Sequence, residues 1–258
     1  MALKILNRSL THARTRGFSV VDLLVSIAVM ALLITILMPS LVSAQELSRR
    51  AKCASNVRQL GLGLQMYSYD HADLVPPSRF NALTSGGRGE DSADTIFLRV
   101  DGRDWNSENG RLFSGVFWDG LGILAKEDYA DAPNVYYCPS HAGDHPISKY
   151  SDTWIQARGT VAGNYQYRIP KDSTTRLGNL KPASTLIADG MRSQADYNHR
   201  VGNNMLKADL SVQWFSDSDG SLYNMLSRDA ATRPPNGVNP AWDALDHTHN
   251  SSAAIHRQ

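Results

Sequence analysis

The sequence predicts an α+β protein: one long N-terminal helix, transmembrane in its first half and amphipathic in its second, packed on a loop-rich antiparallel β-sheet domain. Three observations predict it. Residues 23–45 carry no formal charge and are mostly apolar. Apolar residues then recur at helical spacing as far as Tyr67. After Pro76-Pro77, short β-branched and aromatic runs alternate with clusters of Gly, Asn, Asp and Pro, the pattern of strands and turns. A chain of 258 residues, 42% hydrophobic and 20% charged, can bury a sizeable core. Its net charge of +1 offers no basis for nucleic-acid binding.

The elements follow in order. Residues 1–17 form a basic leader with Lys4, Arg8, Arg14 and Arg16 and no acid. Residues 18–45 form a transmembrane helix. As a helix, its uncharged part alone rises roughly 34 Å, enough for a hydrocarbon core of about 30 Å. The basic leader orients that end to the cytoplasm and the remainder of the chain outward. Asp22 lies inside the apolar run, where a carboxylate costs up to about 2.5–3.5 kcal/mol and calls for a partner. Pro39 removes the backbone bond to the Thr35 carbonyl and is expected to kink the helix. A rival reading is an ordinary secretory signal, with Val42-Ser43-Ala44 as the small-residue cleavage site before Gln45.

Residues 46–75 continue the span as an amphipathic helix. Cys53, Val57, Leu60, Leu64 and Tyr67 make one apolar stripe, with Arg49, Arg50, Lys52, Arg58 and Gln59 around it. Gly61 and Gly63 weaken the helix, which points to close packing or a bend there. Residues 76–232 form the β-rich domain. Its expected strands are Thr95–Val100, Gly115–Trp118, Val135–Cys138, Gly163–Arg168, Thr185–Ala188, and Asn204–Phe215 with a turn near Asp209. Residues 233–258 are weakly patterned and expected to be a flexible tail.

Gly17-Phe18-Ser19-Val20-Val21-Asp22, followed by an apolar helix, resembles the type IV prepilin signature shared by pilins and type II secretion pseudopilins. The resemblance implies cleavage after Gly17 by a prepilin peptidase on the cytoplasmic face, and methylation of the new N-terminal Phe18. Asp22 stands where the family has a glutamate, one methylene longer, and Pro39 where it often has a proline. In the family that acid meets the N-terminal amine of a neighbouring subunit and sets register in a filament; the resemblance transfers that assembly role to Asp22.

A second resemblance is to the pseudopilin-like subgroup with a His-x9-Asp-Gly signature. "RRAKCASNVRQLGLGLQMYSYDH", "YYCPSHAG" and "STLIADG" are similar to its segments, and His199 precedes Asp209 by the required spacing. Leu210 replaces the signature glycine. A tight hairpin at that point often needs φ > 0, which Leu resists, so a turn of another type is expected. The signature brings no chemistry with it; His199 and Asp209 are read as a side-chain brace across a hairpin.

Together these resemblances imply a pilin-like subunit of a type II secretion pseudopilus, with a minor type IV pilus subunit as the alternative. A soluble exported binding or hydrolytic domain is the reading from another class. The implied partners are the prepilin peptidase, other pilin or pseudopilin subunits and an inner-membrane assembly platform. The implied location is the bacterial inner membrane, single-pass, with the C-terminal domain in the periplasm.

On the outer side of a membrane, the even pair Cys53 and Cys138 points to a disulfide, with two free buried thiols as the alternative. The chain is not expected to be an enzyme: it has no Gly-x-Ser-x-Gly elbow, and "SGGRG" lacks the Lys-Ser/Thr of a phosphate loop. Cys138, His141, Asp144 and His145 have ligand-like spacing, as do Asp243, Asp246, His247 and His249, and Asp217 and Asp219 suggest part of a calcium loop. None matches a strong template, so the sequence assigns no metal ligand, no cofactor and no catalytic residue.

Overall fold

The computed structural model describes residues 19–78, 94–102, 106–107, 110–111, 115–156, 158–168, 175–199, 201–228 and 239–247. The chain divides into two compact units, residues 1–45 and 46–258. Helix α1 runs from Val20 to Asp70, 51 residues, and continues unbroken through Pro39.

In the first unit, every large apolar side chain of α1 from Val20 to Val42 is at least half exposed. This helix is long and apolar enough to cross a membrane by length and composition. Its start is a capping box. Ser19 Oγ accepts the Val21 N–H at 3.2 Å, and Asp22 Oδ2 accepts the Ser19 N–H at 3.2 Å. Asp22 therefore satisfies a helix-end donor within its own chain, a local task beside the assembly role expected of it.

In the second unit, the predicted stripe is the buried face of α1: Cys53, Val57, Leu60 and Leu64 are fully buried and Tyr67 nearly so. Gly61 lies under Leu206, where a Cβ would come within 2.7 Å of a Leu206 methyl, so the glycine serves close packing. The helix ends six residues before the Pro pair, where Ala72 and Asp73 adopt left-handed φ of 54° and 68°.

The sheet is six-stranded and antiparallel throughout, in the order β4-β1-β5-β6-β7-β8. Its strands are β1 Asp94–Asp101, β4 Val116–Trp118, β5 Val161–Arg168, β6 Thr185–Asp189, β7 Gly202–Lys207 and β8 Val212–Ser216. β2 Asn106–Ser107 and β3 Gly110–Arg111 form a separate small hairpin. Helices α2 Gly122–Lys126, α3 Ile147–Gln156, α4 Ser221–Met225 and α5 Asn239–Asp246, with 3-10 turns at Pro133–Tyr136 and Leu177–Asn179, complete the described elements. Strands β6 and β7 are buried along their whole lengths. Alternate residues point to opposite faces. Ile187 and Leu206 join the core with α1, whereas Ala188 and Met205 join a second core with Leu222, Leu226, Trp242 and Leu245 from the α4 and α5 region.

Three expectations need correction. Residues 135–138 are not a strand: Pro133–Tyr136 is a 3-10 turn, with Pro133 at its first position, where a missing N–H costs nothing. The tail from residue 233 is not wholly irregular, because α5 buries Ala241, Trp242 and Leu245. The β7–β8 turn keeps its left-handed residue, with Leu210 at φ 65°. That conformation costs a non-glycine residue about 1–2 kcal/mol, and packing of Leu210 on the main core offsets it.

Candidate functional site

Four segments meet at a buried polar cluster in the second unit. Helix α1 contributes Cys53, one member of its buried stripe. The loop after the 3-10 turn contributes Cys138, whose N–H donates to Asn164 Oδ1 on β5 at 3.1 Å. β6 ends in Asp189, and Gly190 follows at φ 45°. A Cβ on Gly190 would collide with the Asp196 carbonyl and the Asn198 side chain, so glycine is what lets the returning chain lie against β6. That returning segment carries His199 just before β7.

The donor atoms of Cys53, Cys138, Asp189 and His199 all lie within 4.8 Å of one another, and the four residues are no more than 5% exposed. Asp189 Oδ2 is the hub. It accepts from Cys53 Sγ at 2.8 Å, from His199 Nε2 at 2.9 Å and, more weakly, from Cys138 Sγ at 3.9 Å. Cys138 Sγ is 3.5 Å from His199 Nε2. The other Asp189 oxygen accepts from Asn198 Nδ2. Tyr165 OH donates to Cys53 Sγ at 3.3 Å.

Behind His199 stands Glu46, whose Oε1 accepts from Nδ1 at 2.7 Å. Glu46 is held in turn by Ser140 Oγ at 3.1 Å and Arg50 Nε at 3.3 Å. The Arg50 guanidinium lies 4.6 Å over the Trp214 ring, and Trp214 meets His199 edge-on at 5.6 Å.

Burial pushes both thiols upward, Cys53 strongly, so neither ionises unaided. Burial also opposes the His199 imidazolium, but hydrogen bonds to Asp189, Cys53 and Glu46 outweigh it and raise His199 to about 10. Burial likewise works against the Glu46 carboxylate, yet His199, Ser140 and Arg50 together hold it below its ordinary value. With protons alone, the cluster is an imidazolium between two carboxylates, beside two neutral thiols. Among the described residues, Cys53, Cys138, Asp189 and His199 are also a group that could hold a metal ion.

The residues singled out from sequence fare differently. Gly17 and Phe18 lie outside the described residues. Cys53 and Cys138 come together, but as free buried thiols and not as the expected disulfide. Asp189 and His199 supply a polar environment that cysteine parity does not foresee. His199 and Asp209 are not brought together: β7 separates them, His199 is buried in the cluster, and Asp209 is exposed at the β7–β8 turn accepting the Ser211 N–H at 2.9 Å. Asp189 and Glu46 were missed, although an aspartate ending the apolar "STLIADG" run was a legible signal.

The other ligand-like spacings have structural explanations. His141 pairs with Asn198 Oδ1 at 2.6 Å. Asp246 bonds Arg168 at 2.6 Å and accepts the Thr185 N–H at 2.6 Å; His249 lies outside the described residues. Asp217 accepts the Leu222 and Tyr223 N–H groups, each at 2.9 Å, and so caps α4.

His145 carries a testable pH dependence. Its Nε2 receives Arg192 Nη1 at 2.8 Å and its Nδ1 faces Tyr150 OH at 2.6 Å. Arginine only donates, so Nε2 must accept and the ring is neutral. Burial first, and then the charge of Arg192, lower His145 from 6.5 to about 4, with Lys149 and His141 adding to this and Asp196 opposing it. Between those values the unfolded chain binds the proton and the folded chain does not. This contribution is complete above pH 6.5 and is lost as pH falls toward 4. Expected is a loss on the order of 1–3 kcal/mol from this group across that window. Thermal unfolding of wild type and His145→Gln at several pH values checks it: the variant should show the shallower slope, and equal slopes would exclude the assignment.

No curated protein and no solved structure matches the chain significantly. One family model, described as a protein of unknown function (DUF1559), matches residues 42–193, which span the second part of α1, the sheet as far as β6, and three of the four cluster residues. An apolar N-terminal helix followed by an antiparallel sheet is a pilin-like layout, and the chain belongs to this DUF1559 family.

Proposed function

We propose that this protein is a structural subunit of a type II secretion pseudopilus, cleaved after Gly17 by a prepilin peptidase and assembled through α1 into a filament outside the inner membrane. The observation that carries this reading is α1 itself. One continuous 51-residue helix has an exposed apolar first half and a second half built into the core of the sheet domain. A discarded signal segment needs no continuity with a domain helix; a filament subunit does, because the helix must carry the domain. Exposed Leu62, Met66 and Tyr69 add an apolar strip on the second half that suits lateral packing between subunits.

The role is structural and not catalytic. Partners are other pilin-like subunits and the membrane platform that assembles them. The N-terminus of the mature chain tests the reading, by intact mass and peptide sequencing from a membrane fraction. Expected is a chain that begins at Phe18 and is heavier by one methyl group. A chain beginning at Gln45 would remove most of the exposed apolar half and replace this reading with a soluble exported domain.

A further inference from the structure

We infer that Cys53, Cys138, Asp189 and His199 form a structural zinc site that pins helix α1 to the sheet. This does not depend on the filament reading, since every ligand lies in the second unit.

The donor set argues for the metal class. Two sulfurs, one imidazole nitrogen and one carboxylate oxygen are a four-coordinate set for Zn²⁺, and thiolates disfavour hard cations such as Mg²⁺ and Ca²⁺. Zinc bond lengths of about 2.0–2.3 Å place tetrahedral donors roughly 3.3–3.8 Å apart. The Cys138–His199 and Cys138–Asp189 separations of 3.5 and 3.9 Å fit that spacing. The Cys53–Asp189 and His199–Asp189 separations of 2.8 and 2.9 Å need Asp189 Oδ2 to recede by less than an ångström.

The surroundings argue for the same ion. A metal-bound histidine commonly donates its other N–H to a carboxylate, and Glu46 is placed on Nδ1 at 2.7 Å to receive it. That fixes Nε2 as the ligand atom. Tyr165 OH and Asn198 Nδ2 donate to Cys53 Sγ and Asp189 Oδ1, as a thiolate and a carboxylate require. On binding, the two thiol protons and the Nε2 proton leave to solvent, and the divalent ion replaces most of the positive charge they carried, leaving the site one unit more negative. All four positions are filled by protein, which is the pattern of a structural site and leaves none open for substrate.

The test uses the full-length chain, purified reduced in detergent. Elemental analysis is expected to find about one zinc per chain. Replacing that zinc by Co²⁺ should give the intense visible bands of a tetrahedral ion and a thiolate-to-cobalt absorption. Cys138→Ser should lose the part of the thiolate intensity that Cys138 supplies, with Cys53 keeping the remainder. Glu46→Gln, which keeps all four ligands, should bind zinc roughly 10–100-fold more weakly while retaining the tetrahedral spectrum. The wild-type cobalt spectrum stands even if a variant misfolds. Absence of stoichiometric metal together with no tetrahedral spectrum on adding Co²⁺ to the reduced chain would overturn the inference. So would a Cys53–Cys138 disulfide in a non-reducing peptide map of the chain as isolated from cells.

Discussion

Replacing Asp189 by alanine is expected to lower stability by about 3–5 kcal/mol, even with a chelator present throughout. The carboxylate accepts from Cys53 at 2.8 Å, from His199 at 2.9 Å and from Asn198, all buried. Its removal strands these donors and leaves the imidazolium facing Glu46 alone. In a protein of this size the corresponding fall in Tm is roughly 6–20 °C, read by near-ultraviolet circular dichroism of the full chain in detergent. Asp189→Asn keeps one accepting oxygen and should lose less. A loss below about 1 kcal/mol in the alanine variant would show that the carboxylate is not the hub of the cluster. The chelator separates this result from zinc binding, because the measured loss then belongs to protein hydrogen bonds.

Trp242→Ala carries a comparable expected effect, about 3–5 kcal/mol. The indole is fully buried in the second core with Ala241 and Leu245. It also fixes the only described part of the chain beyond residue 228. The Arg168 guanidinium sits 5.6 Å from its ring and bonds Asp246 at 2.6 Å, while Lys207 Nζ donates to the Leu245 carbonyl at 2.7 Å. Emptying the indole site should therefore release α5 as a unit. Amide hydrogen exchange of residues 241–246 should accelerate and Tm should fall. Trp242→Phe makes a sharper test. The indole N–H finds no acceptor among the described residues, so phenylalanine removes an unsatisfied donor along with some volume and should cost much less than alanine. Unchanged exchange in Trp242→Ala would mean that the polar bonds alone hold the helix.

Local pattern made much of this fold legible. The spacing of Cys53, Val57, Leu60, Leu64 and Tyr67 marks a buried helical face, and that face is buried. Strand expectations at 95–100, 163–168 and 185–188 fall inside observed β1, β5 and β6. Residues 135–138 misled because Val-Tyr-Tyr-Cys has strand composition, while Pro133 sets up a 3-10 turn just upstream. Helix α5 was missed because "NPAWDALD" is short and opens on Asn239-Pro240, which also suit a turn; tertiary burial of Trp242 holds it. The cluster was half legible. Cysteine counting brought Cys53 and Cys138 together, and the His-x9-Asp signature singled out His199. Neither indicated that Asp189 would stand between them, because no local period relates residues 53, 138, 189 and 199. The signature also paired His199 with the wrong aspartate: its partner lies ten residues upstream on β6, not ten downstream.

The separation of the cluster residues along the chain has a consequence for biosynthesis. Glu46 and His199 are 153 residues apart, so at ~5–20 residues per second the histidine emerges roughly 8–30 s after its partner. Throughout that interval Cys53 is an ungated thiol on a nascent chain, open to mixed disulfides or a stray ion. A product ending before His199 lacks one of the four side chains and cannot close this junction. Complete synthesis thus leaves a chemical mark, the sequestration of Cys53, by which finished chains are distinguishable from fragments.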